Sequence, residues 1–225
     1  MSDHVKRAFD ILSCGAALLL LSLPLLAIAL WIRLDSKGPA LFLQNRVGKD
    51  AQLFRIYKFR TMVDRAPDQI DQHAEKVISE GDDPRITRAG RFLRATSLDE
   101  LPQLINMLKG DMSIVGPRPI IPEQLEVVPP EHMDRFNVRP GLTGLAQVRG
   151  RRSLGWLEQL QADSEYVQNY GFWYDIGIIL KTVVVVLKGS GVYGGEGQNW
   201  RAYRDSLRAQ QARDAASKDA SPNKE

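Results

Sequence analysis

Gly15–Ile32, "GAALLLLSLPLLAIALWI", carries eighteen residues without a charge, long enough for a membrane helix. Three readings of it lead to three different folds. As a secretory signal, Lys6 and Arg7 would form the positive start and Ala27-Ile28-Ala29 the cleavage site, but the apolar run continues past that cut without a polar break. As a spanning helix, its flanks should differ in positive charge. They do not: Lys6 and Arg7 precede it, and Arg33, Lys37, Arg46 and Lys49 follow it, so both ends are drawn to the cytoplasmic side. The third reading puts a break at Ser22 and Pro24. Pro24 lacks an N–H and clashes with the preceding turn, and the Ser22 hydroxyl can serve a freed carbonyl. Each arm of such a re-entrant helix is roughly 13 Å long, too short for a hydrocarbon core of about 30 Å. A kinked spanning helix stays open, since lipid tolerates proline kinks. The flanking charges favour the re-entrant form.

Outward from this segment, 225 residues allow one domain with appendages. A net charge of +3 with clustered Lys and Arg suits a local anionic partner, and no nucleic acid is expected. Cys14 is the single cysteine, so no intrachain disulfide can form.

After the turn cluster "DSKGP" (35–39), the runs Ala40–Arg46 and Gln52–Met62 around Gly48-Lys49-Asp50 predict a β-hairpin, with Phe54, Ile56, Lys58 and Arg60 on one face. Residues 64–83 are acidic and weakly periodic, a solvated helix or loop. Arg85, Arg88, Arg91 and Arg94 recur every third residue and make a cationic stripe on a helix. Leu101, Leu104, Ile105 and Leu108 predict an amphipathic helix ending near Gly110. Residues 135–156 hold five arginines among glycine turns, a second cationic region. "FWYDIGIILKTVVVVLK" (172–188) fits either a membrane interface or a packed core. The polar stretch after Trp200 reads as a disordered tail. The expected fold is α+β and mainly helical: a Pro-kinked membrane helix at 1–34, a cytoplasmic domain with a β-hairpin and interfacial helices at 35–199, and a tail at 200–225.

"TSLDELPQ" (96–103) places Asp99 beside Glu100. Ser97 and Glu100 have capping-box spacing, and Asp99 in a first helical turn complements the macrodipole, so both acids have a structural explanation. They also lie between Arg94 and Arg118, whose guanidinium groups grip phosphate oxygens in bidentate fashion. Two adjacent acids in a phosphate-binding frame can hold a divalent cation such as Mg2+, and one can attack phosphorus to give an acyl phosphate.

Together, "KRAFD" (6–10), the proline-broken apolar run, "QNRVG", "YKFRTM", "TSLDELPQLINMLKGDMSIVGPRP" and "VRPGLTGLAQVRGR" resemble the bacterial sugar transferases, monotopic polyprenyl-phosphate phosphoglycosyl transferases, over about Lys6–Gly191. The resemblance implies a minimal catalytic-core enzyme at the cytoplasmic face of the bacterial inner membrane. It would transfer sugar-1-phosphate from a UDP-sugar to polyprenyl (undecaprenyl) phosphate with release of UMP, starting exopolysaccharide, O-antigen or glycoconjugate synthesis. It implies Asp99 as nucleophile through a phosphosugar-aspartyl intermediate, Glu100 as its dyad partner, and Mg2+ as cofactor held by both acids. Lys58, Arg60, Arg94, Arg118 and Arg139 would bind substrate phosphates. It also implies the re-entrant helix, although Leu23 separates Ser22 from Pro24 where the family often has them adjacent. A homodimer is left open. The rival reading is a non-catalytic, membrane-anchored adaptor whose basic surface binds anionic lipid or an assembly partner, with salt-sensitive binding indifferent to Asp99 and Glu100.

Overall fold

The chain is described here by a computed structural model covering residues 3–65, 70–73, 83–150, 153–188 and 199–219. Helix α1, Asp3–Asp35, holds the whole apolar run and continues through Pro24; its 33 residues extend about 50 Å at the helical rise. Pro24 offers no N–H to the Leu20 carbonyl four residues earlier. The Ser22 hydroxyl donates at 2.9 Å to the Leu19 carbonyl, one residue before it, so it serves the neighbour of the acceptor that Pro24 leaves.

One stripe of α1 packs on the rest of the chain. Cys14 is buried with Ile56, Leu104, Met107 and Met112, and Ile32 with Phe59, Ala89 and Leu93. The opposite stripe, including Leu19, Leu20, Leu23, Leu26 and Leu30, is exposed.

The predicted hairpin forms from β1 (Leu41–Val47) and β2 (Leu53–Phe59), antiparallel with Leu41 opposite Phe59 and Val47 opposite Leu53. Among the described residues β2 pairs with no other strand. Its free edge is met by Asn106, a buried side chain of helix α3 (Gln103–Lys109): Oδ1 accepts from Tyr57 N at 3.0 Å, and Nδ2 donates to Arg55 O at 2.7 Å. One amide thus imitates a strand and fixes α3 against β2. Helix α2 (Arg88–Thr96) starts at the Thr87 cap, whose hydroxyl accepts from Gly90 N. Gly90 lies against the Thr61 carbonyl so closely that an added Cβ would come within 2.0 Å of it.

A second pair, parallel β3 (Ser113–Val115) and β4 (Gly141–Thr143), was not foreseen. It brings Gly116 and Gly141 into backbone contact, where a Cβ on Gly141 would stand 2.1 Å from Gly116 N. Helices α4 (Pro122–Leu125) and α5 (Leu145–Arg149), and a 3-10 segment Pro130–Asn137, fill the connections. Helix α6 (Trp156–Asn169) and helix α7 (Phe172–Lys188) follow. The packed-core reading of α7 holds in part: Asp175 and Ile178 are buried, while Trp173, Leu180, Val184 and Leu187 leave an exposed apolar face.

Two expectations are corrected. Of the stretch 200–225 read as a disordered tail, Trp200–Asp219 form helix α8, and 220–225 lie outside the described residues. Trp200 at its start is buried with Val47, Phe136, Trp156 and Leu160, and Tyr203 packs beside it, supplying the apolar face the polar sequence beyond lacks. The second cationic region is dispersed. Arg135 is buried against Asp163, Arg139 donates to the Gly110 carbonyl, and Arg149 pairs with Glu165. Arg151 and Arg152, like most of the acidic segment 64–83, lie outside the described residues.

The start of α1 is tied down by charge. Lys6 pairs with Asp175 of α7, both buried, and Asp175 also accepts from the Tyr166 hydroxyl at 2.9 Å. Removing one partner of such a pair leaves an uncompensated buried charge. Lys6→Met should therefore lower unfolding free energy by about 3 kcal/mol in denaturant titration, and adding Asp175→Leu should recover most of it. A single variant as stable as the parent would contradict this role.

Candidate active site

Chain direction places the acids. After α2, Ser97 adopts a left-handed conformation (φ 58°), an uncommon choice outside glycine, and reverses the chain into a 3-10 turn at Leu98–Glu100. The expected capping box is absent: Ser97 makes no side-chain cap bond, and α3 begins only after Pro102. Glu100 turns instead to cations. Its Oε1 accepts from Lys58 Nζ at 2.8 Å and from Arg118 Nη2 at 2.7 Å. Lys58 stands on the β2 face that also carries buried Ile56, so strand alternation aims it at the acids.

Asp99 is placed differently. Its Oδ2 lies 3.9 Å from Lys58 Nζ, and among the described residues its side chain makes no hydrogen bond. Burial raises the Asp99 carboxyl above the usual aspartate range, with Lys58 pulling it down and Glu100 pushing it further up. Burial would raise Glu100 too, but Arg118 and Lys58 outweigh it and hold its carboxyl well below the usual range. Two neighbouring acids are thus set apart: Glu100 is locked as an anion, and Asp99 is the more basic carboxylate.

Both acids line a cavity of about 830 Å³. Arg94 reaches it from α2 with its Nε on Thr61 Oγ1 at 2.9 Å. Arg118 is supported from behind, where the Arg135 guanidinium donates to its carbonyl at 2.8 Å and to Asp163 at 2.7 Å. Burial pushes the Asp163 carboxyl up to about 6 despite Arg135. On another wall Ile179, Val183 and Val186 of α7 give the cavity an apolar side.

The structure therefore brings together Lys58, Arg94, Asp99, Glu100 and Arg118. It does not bring Arg139, which is bound to Gly110 O at 3.1 Å and faces Asp3. Arg60 borders the cavity, but its guanidinium is buried against the turn after α1, on Ser36 Oγ at 2.7 Å and on the Ser36 and Pro39 carbonyls. Both guanidinium groups are engaged by backbone carbonyls, which are acceptors just as phosphate oxygens are. Within the stripe, Arg85 and Arg94 line the cavity, whereas Arg88 and Arg91 are on the exposed side. Thr61, Asn106 and Arg135 support the site and were not singled out. Asn106 carried one signal, a polar residue inside the apolar pattern of α3.

Among the described residues no group of three or more His, Cys, Asp or Glu gathers as a metal cage. The dyad nonetheless fits a hard cation of the magnesium type, which commonly takes one or two carboxylates and completes its shell with substrate phosphate and water. Glu100 uses Oε1 for both cations, and among the described residues Asp99 holds no hydrogen bond, so each acid has an oxygen to offer.

The raised Asp99 carboxyl fixes a sign for stability. Because its proton is held more tightly in the folded chain, its contribution is full below the unfolded value near ~4 and is lost as pH rises through the folded value. Asp99→Asn should therefore be more stable than the parent at pH 7, and the gap should close near pH 4. Denaturant titration at the two pH values checks it, and a less stable Asn variant at pH 7 would refute it.

Comparison with known proteins identifies the family. The family described as bacterial sugar transferase matches residues 1–189. The undecaprenyl-phosphate galactose phosphotransferase of Salmonella typhimurium is 43% identical over 203 residues, 85% of this chain and 42% of that protein. The UDP-glucose:undecaprenyl-phosphate glucose-1-phosphate transferase of Caulobacter vibrioides is 43% identical, with 85% of this chain and 73% of that protein covered. The exopolysaccharide production protein ExoY of Rhizobium meliloti is 36% identical, with 84% and 88% covered. The chain thus spans less than half the length of the Salmonella relative and most of the other two. With the match running from α1 through the dyad to the end of α7, the chain belongs to the bacterial sugar transferase family.

Proposed function

We propose that this chain is a phosphoglycosyl transferase that moves sugar-1-phosphate from a UDP-sugar to undecaprenyl or a similar polyprenyl phosphate. One observation carries the reading: in a cavity edged by Lys58, Arg94 and Arg118, Glu100 is tied by two cations while its neighbour Asp99 keeps a raised carboxyl with no hydrogen bond among the described residues. That is the division expected of a fixed partner and a nucleophile.

An Asp99 oxygen attacks the sugar-bearing phosphorus of the UDP-sugar. The bond from that phosphorus to the bridging oxygen breaks, and UMP leaves with the electron pair. A phosphate oxygen of the polyprenyl acceptor then attacks the same phosphorus, and the bond to Asp99 breaks to restore the carboxylate. Lys58, Arg94 and Arg118 hold and orient the phosphates, while Glu100 keeps Lys58 and Arg118 in place. Asp99 and Glu100 would hold Mg2+, which supplies charge neutralisation on the diphosphate when bound.

The same reading puts the molecule on the cytoplasmic face of the inner membrane. The exposed leucines of α1 and the exposed apolar face of α7 supply a lipid-facing surface. With α1 fastened to the rest of the chain at Lys6 near its start and at Ile32 near its end, both ends stay beside the domain. That favours entry and exit by one face over spanning. The relatives named for transfer from UDP-glucose to undecaprenyl phosphate support the substrates.

Incubation with a UDP-sugar and no acceptor should give a burst of UMP and a protein whose mass rises by one sugar phosphate on Asp99. Asp99→Asn should lose at least about 10³-fold in turnover, and near-normal activity would sink the covalent role. Ionisation of Asp99 should set an acid limb in kcat/KM above the ordinary aspartate range near ~4, moving to higher pH in Arg118→Ala. For topology, cysteines introduced as Ser2→Cys and Lys37→Cys should label from the same side of the membrane. Labelling from opposite sides would defeat the re-entrant arrangement.

A further inference from the structure

Helix α8 lies beyond the residues matched by the family, yet it reaches the cavity through a short segment, Ile70–His73. Arg201 donates twice to the Gln72 carbonyl, from Nε at 2.9 Å and Nη2 at 2.6 Å. Next to it, Arg204 Nη1 donates to His73 Nδ1 at 2.9 Å. The Trp200 ring sits among these groups. Its centroid is 4.9 Å from the Arg201 guanidinium carbon, 5.5 Å from that of Arg204, and 5.9 Å from the His73 ring. Trp200 is itself buried with Trp156 and Leu160, which also line the cavity. Gln72, so held, and Ile70, two residues before it, line the same cavity as Asp99, Glu100 and Arg118.

We infer that α8 is a positioning element of the active site: through Arg201 and Arg204 it straps Ile70–His73 into place as a wall of the cavity that takes the nucleotide sugar. A carbonyl gripped by two donors of one planar guanidinium has its direction fixed as well as its distance. The short segment gains that order from α8, since among the described residues it belongs to no helix or strand. Ordering a wall before substrate arrives lowers the cost of binding without touching the reacting atoms. The effect therefore belongs in KM and not in kcat, and this assignment of substrate rests on the transferase reading above.

The test uses the full-length chain with the double substitution Arg201→Ala/Arg204→Ala. KM for the UDP-sugar should rise about tenfold, in line with loss of charge-assisted hydrogen bonds, while kcat stays within about twofold. Backbone amides at 70–73 should exchange hydrogen faster, and the melting temperature should stay within a few degrees, as about the Trp200 anchor remains. Arg201→Lys alone, which keeps one donor for the Gln72 carbonyl, should lie between parent and Arg201→Ala in KM. Unchanged KM with unchanged exchange at 70–73 would overturn the strap. So would a fall in kcat that simply tracks a large loss of melting temperature, which marks a purely structural helix. Failure of the transferase reading looks different: the parent protein would release no UMP from any UDP-sugar, and exchange at 70–73 would still decide whether α8 holds the wall.

Discussion

Three charged residues in the first turns of α1 bind it to three separate elements, and much of the fold depends on that attachment. Lys6 pairs with Asp175 on α7, Arg7 donates to the Met107 and Leu108 carbonyls at the end of α3, and Asp10 accepts from Ile114 N on β3 at 3.1 Å. The Arg7 bonds satisfy carbonyls that a helix end leaves open, where a cation also meets the negative end of the dipole. Breaking any of these would leave a polar or charged group without its partner and loosen one of several attachments of the helix to the domain. The apolar segment is therefore part of the tertiary structure, built into the same framework that holds α3 and β3.

That framework sets the chemistry at a distance. Asn106 of α3 bonds β2 at Arg55 and Tyr57, immediately before Lys58, while Pro102, two residues after Glu100, caps the start of α3. Lys58 and the acids are thus located by one side-chain amide. A buried asparagine satisfied on both its oxygen and its nitrogen tolerates little displacement. The left-handed Ser97 then gives the chain the reversal that separates the roles of Asp99 and Glu100. Strain at one residue is repaid by placing a raised carboxyl beside a suppressed one.

Local pattern made some of this legible. The hairpin, the helix ending at Gly110 and the juxtaposition of Lys58, Arg94, Arg118 and the acids were all readable from alternation, periodicity and motif. The partner of each individual arginine was not legible, because a guanidinium reads the same in sequence whether it meets phosphate or carbonyl. Arg60 and Arg139 went to carbonyls, and Arg135 to a buried carboxylate. The parallel β3–β4 pair was missed because its strands are three residues each and far apart in the chain. The capping box at Ser97 was a correct spacing in the wrong backbone conformation. α8 was misread because its apolar anchors, Trp200 and Tyr203, lie at its start, where a boundary drawn by composition sets them apart from the polar helix they secure.

The cavity's two characters follow from the same placement. Its polar side carries the dyad and its cations, and its apolar side is the face of α7 at Ile179, Val183 and Val186, on a helix whose outer face is exposed and apolar. Lys6 joins that helix directly to α1. On the proposed reading, the two helices that meet lipid are thus fastened to each other and to the catalytic wall, so the height of Asp99 relative to the bilayer is fixed by a buried ion pair. A water-soluble diphosphate and a membrane-bound phosphate can meet at one phosphorus only if that height is constant. A rigid helix attached along its length provides this, where a flexible tether would not.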